Sequence, residues 1–241
     1  MASSDALTLD SARISELPES GFYVPNFILP EEEQYILQEI SKLPSTRWTV
    51  LSHRRLLSLP SQLTGTARDT LIAAPMPTFL STVVLDRLKQ LSLFKGSPHG
   101  APNHCLVNEY QPGQGIMPHE DGPAYYPVTA TVSLAAHTTL DIYKKNDQGE
   151  REAIPTWRIL QEPRSLLITT SDMYKSTLHG IPEAVEDTDL GPETIVNWDK
   201  LADKTPFEGG VAKRQTRISL TYRDVLKVAK VGGAMKFINK R

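Results

Sequence analysis

The spacing of β-forming runs in the second half of the chain constrains the fold more than any other feature. Val128-Thr-Ala-Thr-Val-Ser-Leu134 and Thr138-Thr-Leu-Asp-Ile-Tyr143 come first. Trp157-Arg-Ile-Leu, Arg164-Ser-Leu-Leu-Ile-Thr170 and Arg217-Ile-Ser-Leu-Thr-Tyr-Arg223 follow, with turn formers such as Lys144-Lys-Asn-Asp-Gln-Gly149 between them. Many short strands punctuated by turns predict a sandwich or a barrel. At 241 residues the chain is one domain with extensions. No G-x-x-x-x-G-K and no strand-bound G-x-G-x-x-G is present, so the sequence carries no phosphate-loop signature. No run approaches the roughly twenty apolar residues of a membrane span, and no membrane association is expected.

The first half reads as scaffold. Residues 1–20 look like a flexible N-terminal segment, and Gly21-Phe-Tyr-Val-Pro-Asn-Phe-Ile is a short apolar strand. Pro30 then opens a helix with Glu31, Glu32 and Glu33 in its first turn, where the helix dipole favours anions, and Pro44 ends it. Trp48 to Leu57 reads as a strand running into a basic hairpin or loop that carries His53, Arg54 and Arg55. A second helix follows Pro75-Met-Pro through Phe79, Leu80, Val84 and Leu88. His99, His104 and His137 have no second ligand nearby in sequence and are read as packed or exposed.

Charge and cysteine usage bound the setting. The net charge of −2 gives no global push toward nucleic acid, but its distribution is uneven. Glu183 to Lys204 holds seven acids and two lysines, whereas Val211 to Arg241 holds nine basic residues and one acid, Asp224. The basic stripe could meet phosphates or simply face solvent. One cysteine, Cys105, excludes an internal disulfide framework and fits a reducing compartment. With neither a signal-peptide pattern nor an acid-free leader at the start, the nucleus and cytoplasm are the expected compartments.

Chemistry concentrates in three separated segments. The strand Cys105-Leu-Val-Asn-Glu-Tyr110 places Leu106, Asn108 and Tyr110 on one face. A Gly/Pro loop then delivers His119 and Asp121, an imidazole and a carboxylate one residue apart, a pair suited to iron(II) or zinc. Alone, such a triplet is also common in surface loops. His179-Gly180, just past the strand ending at Thr170, supplies a second histidine, and two histidines with one carboxylate leave open positions on non-haem iron(II). On the last strand Arg217, Ser219, Thr221 and Arg223 share one face. Arginines pointing inward are costly unless they meet an acid, and a guanidinium grips a carboxylate through paired hydrogen bonds. The economical partner is a dicarboxylate cosubstrate.

In the order Asn108-x-Tyr110, His119-x-Asp121, His179-Gly180 and Arg217-x5-Arg223, the chain resembles the AlkB group of 2-oxoglutarate-dependent dioxygenases. The string Met-Pro-His-Glu-Asp-Gly-Pro followed by Tyr125-Tyr126-Pro is most similar to the AlkB homolog six branch. The resemblance implies an all-β core with flanking helices, a double-stranded β-helix (jelly-roll). It places the oxygenase domain at 21–225 with an acidic insertion loop at 183–214, flexible or forming a partial lid, and a basic tail at 226–241. It implies that His119, Asp121 and His179 hold Fe(II), that Asn108, Tyr110 and Arg217 contact 2-oxoglutarate, and that Arg223 steadies the cosubstrate and Asp121. Thr221 matches a position lining the same pocket. With O2, the implied reaction hydroxylates an N-methyl carbon and releases formaldehyde, on RNA or single-stranded DNA, where unstacking a base costs least. Tyr125 or Tyr126 would stack on the base, or pack in the core. Pro123 stands where several members carry a base-reading acid, which keeps open a protein-directed oxygenase or demethylase. A third reading is a nucleic-acid-binding module acting through Lys213, Arg214, Lys227 and Lys230. A monomer is expected.

Overall fold

A computed structural model describes residues 8–230. Its centre is a seven-stranded antiparallel sheet, built from β1 (Gly21–Val24), β2 (Thr49–Leu51), β3 (Arg54–Leu59), β5 (His104–Tyr110), β7 (Val128–Leu134), β10 (Leu166–Thr170) and β14 (Arg217–Arg223). Their spatial order is β1-β10-β7-β14-β5-β3-β2. A smaller antiparallel sheet faces it, in the order β6 (Ile116–His119), β11 (Thr177–Ile181), β8 (Thr138–Lys144) and β9 (Trp157–Gln161). Two short pairs complete the set: β4 (Thr70–Ile72) with β15 (Lys227–Ala229) in parallel, and β12 (Glu186–Asp187) with β13 (Ala212–Lys213). This is the expected jelly-roll with flanking helices.

Strand alternation sorts the side chains between two cores. On β14 the apolar set Ile218, Leu220 and Tyr222 packs with Val132 of β7 and Val107 of β5 against Ile36 and Leu88 of the helical layer. That layer consists of the helix Pro30–Ser41 and a helical run over 78–90 whose middle, Ser81–Leu85, widens into a π turn. Arg87 of that run donates to Glu32 at 2.8 Å and ties the two helices together. The opposite face of the large sheet carries polar residues and looks across a cavity at the small sheet. The second core lies there, around Leu140, Ile142, Ile159 and Leu167.

Two sequence expectations need correction. Residues 1–20 are not uniformly unanchored: Thr8 caps a short helix, Leu9–Ala12, Arg13 bridges to Phe22, and Ile14 and Leu17 are buried in the second core. Too few residues lie between these apolar positions for periodicity to reveal them. The acidic insertion, expected as a flexible loop or a partial lid, is packed down rather than flexible. Leu190, Ile195, Leu201 and Phe207 are buried, and the backbone N–H of Val196 donates to the Arg158 carbonyl at 3.0 Å. The segment thereby covers β9, the outer strand of the small sheet, whose free backbone groups would otherwise face solvent. Its acidity hid an apolar set at irregular spacing. The tail from 226 begins with β15, and residues 231–241 lie outside the described residues.

Candidate active site

The facing sheets enclose a cavity of about 260 Å³ that opens to the surface. At one end, antiparallel pairing sets His119 of β6 opposite His179 of β11, with ring centroids 4.4 Å apart. No side chain fits between these strands at the next position, because a Cβ on Gly180 would lie 2.9 Å from the Pro118 nitrogen. Asp121 follows two residues after His119, and one ligand atom from each of the three lies within 4.8 Å of the others. The Met117 carbonyl sits 2.9 Å from His119 Nδ1. A carbonyl can only accept, so Nδ1 carries a proton and Nε2 is the nitrogen left to face a metal. Burial pushes His179 down to about 4, which leaves its imidazole neutral at pH 7. Burial would raise Asp121, but the Arg223 charge, with the Thr129 hydrogen bond, outweighs it and holds the carboxyl below its ordinary value. Thr129 Oγ1 donates to Asp121 Oδ2 at 2.9 Å and Arg223 Nη2 bonds Oδ1, so the carboxylate is oriented from two sides. Two imidazoles and one anchored carboxylate fit the donor set of iron(II).

The other end of the cavity holds Arg217, 3% exposed. Its Nη2 donates to Ser133 Oγ at 2.7 Å and to Gln161 Oε1 at 3.2 Å, while Nε has no protein partner. Burial lowers its pKa to about 10, so it stays charged at neutral pH. Among the described residues no carboxylate bonds it. Asp187, the acid whose field it feels, is bonded by Arg214 at 2.6 Å and by Thr139. A buried guanidinium without an acid is costly unless an anion arrives from outside. This fits the carboxylate of a bound diacid. Asn108, Tyr110 and Thr221 also line the cavity, and Arg54 donates to Asn108 Oδ1 at 3.2 Å.

The structure separates residues that the sequence left together. Tyr125 lines the cavity beside Arg223, whose guanidinium lies 4.9 Å from its ring centroid, whereas Tyr126 packs against the helical core. On the basic hairpin Arg54 faces the cavity, while Arg55 pairs with Glu109 at 2.6 Å and stacks on Trp48. Arg214 is buried against Asp187 and Lys227 pairs with Asp69, so half of the residues offered for the binding-module reading are engaged within the chain. Sequence reasoning does not single out Thr129, Ser133 or Gln161 for the site. Thr129 and Ser133 are discoverable as the polar alternates of the Val128–Leu134 strand.

Residues 22–223 match the 2OG-Fe(II) oxygenase superfamily, and the chain belongs to that family. It is accordingly an oxygenase whose chemistry uses Fe(II), 2-oxoglutarate and O2. The chain is 36% identical over 242 residues to the zebrafish (Danio rerio) protein named "Probable RNA/DNA demethylase ALKBH6", covering 97% of this chain and 96% of that one. It is 29% identical over 210 residues to "Uncharacterized protein L905" of Acanthamoeba polyphaga mimivirus, covering 86% of each. Among solved structures, that of OsALKBH1 superposes with a TM-score of 0.54 at 17% identity, over 86% of this chain and 98% of that chain, and supports the shared fold.

Proposed function

We propose that this oxygenase removes methyl groups from the nitrogens of nucleic-acid bases, with RNA or single-stranded DNA as the preferred substrate. His119, Asp121 and His179 hold the iron, and Arg217 with Asn108 and Tyr110 holds 2-oxoglutarate. The observation that carries this reading is the polarity of one cavity: a converging His-Asp-His set at one end and a buried, acid-free arginine at the other. When iron, 2-oxoglutarate and oxygen are bound, they supply the oxidising power to hydroxylate an N-methyl carbon, which then departs as formaldehyde.

The chain's own residues do the positioning. Asp121 is fixed by Thr129 and Arg223, and Tyr174 donates from its hydroxyl to the Gly122 carbonyl at 2.9 Å, which steadies the loop leading to Tyr125. Tyr125 offers an aromatic face at the metal end for an unstacked base, and Arg54 lines the same cavity from the hairpin. The zebrafish relative, aligned over nearly its whole length, supports a nucleic-acid substrate. A single buried thiol, Cys105, is compatible with the reducing interior of the nucleus and cytoplasm, where such a substrate resides. We take the acting species to be a monomer.

The test is mass spectrometry of total RNA, DNA and protein after incubation with iron, 2-oxoglutarate and oxygen, against an Asp121→Ala control. Loss of a methylated base with matching formaldehyde and succinate is expected. Methyl loss or hydroxylation on protein alone would replace the nucleic-acid reading with the protein-directed one.

A further inference from the structure

We infer that Gln161 is a second binding group for the distal carboxylate of the cosubstrate, and that the acidic insertion holds it in place. This rests on the reading above, in which Arg217 marks the carboxylate end of the cavity. Gln161 ends β9, is 2% exposed and lines the cavity beside Arg217. An arginine only donates, so the amide must turn its oxygen toward Arg217 Nη2, 3.2 Å away. Ser133 Oγ, itself accepting from Arg217, lies 3.4 Å from the same oxygen. The amide NH2 is therefore forced to the other side. Among the described residues no protein group accepts from it, and it is not sealed away from the cavity. A buried N–H pair without a protein acceptor, next to a guanidinium without an acid, makes a fork with two kinds of donor. A carboxylate satisfies both at once.

The insertion grips β9 immediately on either side of this residue. Asn197, fully buried, accepts from the Leu160 N–H at 2.9 Å and donates to the Leu160 carbonyl at 2.8 Å. Glu162 accepts the N–H groups of Ala202 and Asp203 at 3.0 and 2.9 Å. Residues 160 and 162 are thus tied to the insertion while 161 points into the cavity. Here the acidic segment acts as a brace behind the cosubstrate rather than as a cover over the substrate. Asn197 is a positioning residue in this scheme, and Gln161 a binding residue.

The experiment titrates 2-oxoglutarate, and separately pyruvate, into the Mn(II)-loaded full-length protein by calorimetry. Pyruvate has the metal-binding 2-oxo acid but no distal carboxylate. Gln161→Met keeps the volume and removes the amide, and it should weaken 2-oxoglutarate about tenfold to a hundredfold, the range for a hydrogen bond to a charged group. Gln161→Glu, which places an acid on Arg217, should weaken it more than Gln161→Met does. Asn197→Ala should weaken it by a smaller factor, and pyruvate binding should be unchanged in all three variants. Unchanged 2-oxoglutarate affinity in Gln161→Met would overturn the inference, as would an equal loss for pyruvate. Arg217→Met in the same assay separates the two levels: if it too binds 2-oxoglutarate normally, the assignment of that cavity end fails. If Arg217→Met loses binding and Gln161→Met does not, only the role of Gln161 fails.

Discussion

The two arginines of β14 that face the cavity, Arg217 and Arg223, sit on one strand and one face, and are 3% and 6% exposed. Their surroundings differ. Arg223 is neutralised within the chain by Asp121, and although burial opposes its charge, Asp121, Tyr125 and Tyr174 together raise its pKa. Among the described residues Arg217 meets only a hydroxyl, an amide oxygen and the tyrosine ring of Tyr110, 6.0 Å from its guanidinium carbon. A buried charge with a resident partner belongs to the fold. One left with neutral partners belongs to a ligand. Under the proposed assignment, the metal end is preassembled by protein contacts, and the cosubstrate end would be completed on binding.

This contrast is broken first by removing each arginine. Arg223→Met leaves Asp121 as a buried carboxylate without its cation, so chemical denaturation should report a loss of about 3–5 kcal/mol in the metal-free protein. A loss under about 1 kcal/mol would mean that Asp121 does not depend on this pair.

The metal end should also leave a mark on stability in acid. His104 lies opposite Arg223 across the β5–β14 ladder, with neither ring nitrogen bonded, and burial followed by the Arg223 charge pushes its pKa from 6.5 down to about 4. A folded-state pKa below the unfolded one means that the unfolded chain takes up the proton first. The contribution is full above pH 6.5 and is lost as pH falls toward 4, by about 3 kcal/mol across that window. The denaturation midpoint of the native chain should fall relative to that of His104→Leu as pH drops from 6.5 toward 4, while the gap between the two stays constant above pH 6.5. Identical slopes in the two proteins would remove His104 from the account.

Arg217→Met should behave in the opposite way to Arg223→Met. Stability should change little, since replacing a buried unpaired charge with an apolar side chain is close to neutral. Affinity for 2-oxoglutarate should fall about a hundredfold, equivalent to about 2.7 kcal/mol. A large stability loss with intact affinity would invert the assignment of the two ends.

Much of this site is legible in the amino-acid sequence. His119, Asp121 and His179 can be read because their residue types are rare in combination, and β14 because strict alternation places Arg217 and Arg223 on one face. Gln161 cannot. It follows an apolar run that reads only as core, and its meaning depends on a contact with a residue 56 positions away. The insertion escapes a sequence reading for a related reason. Charge dominates its composition, while its burial comes from five apolar residues with neither helical nor strand period. The N-terminal residues from Thr8 show the same failure on a shorter scale, since four residues of helix are too few to display a pattern.

The smallest effect tests how far the comparison of paired and unpaired arginines extends. Arg54 and Arg55 are neighbours on the hairpin and point to opposite faces of the large sheet. Arg55 has its acid, Glu109, held through two donors at 2.8 and 2.6 Å, and is partly exposed. Among the described residues Arg54 bonds only Asn108, an uncharged partner inside the cavity. By the logic of β14, Arg55 is structural and Arg54 is available to ligand or substrate. Arg55→Ala should cost no more than about 1 kcal/mol, because water screens an exposed pair, and should leave turnover unchanged. Arg54→Ala should leave stability within about 0.5 kcal/mol, as for most surface substitutions, yet lower turnover measured by succinate release. If Arg55→Ala instead lowers turnover and Arg54→Ala does not, the hairpin acts through its outer face, and the partner rule does not extend beyond the closed part of the cavity.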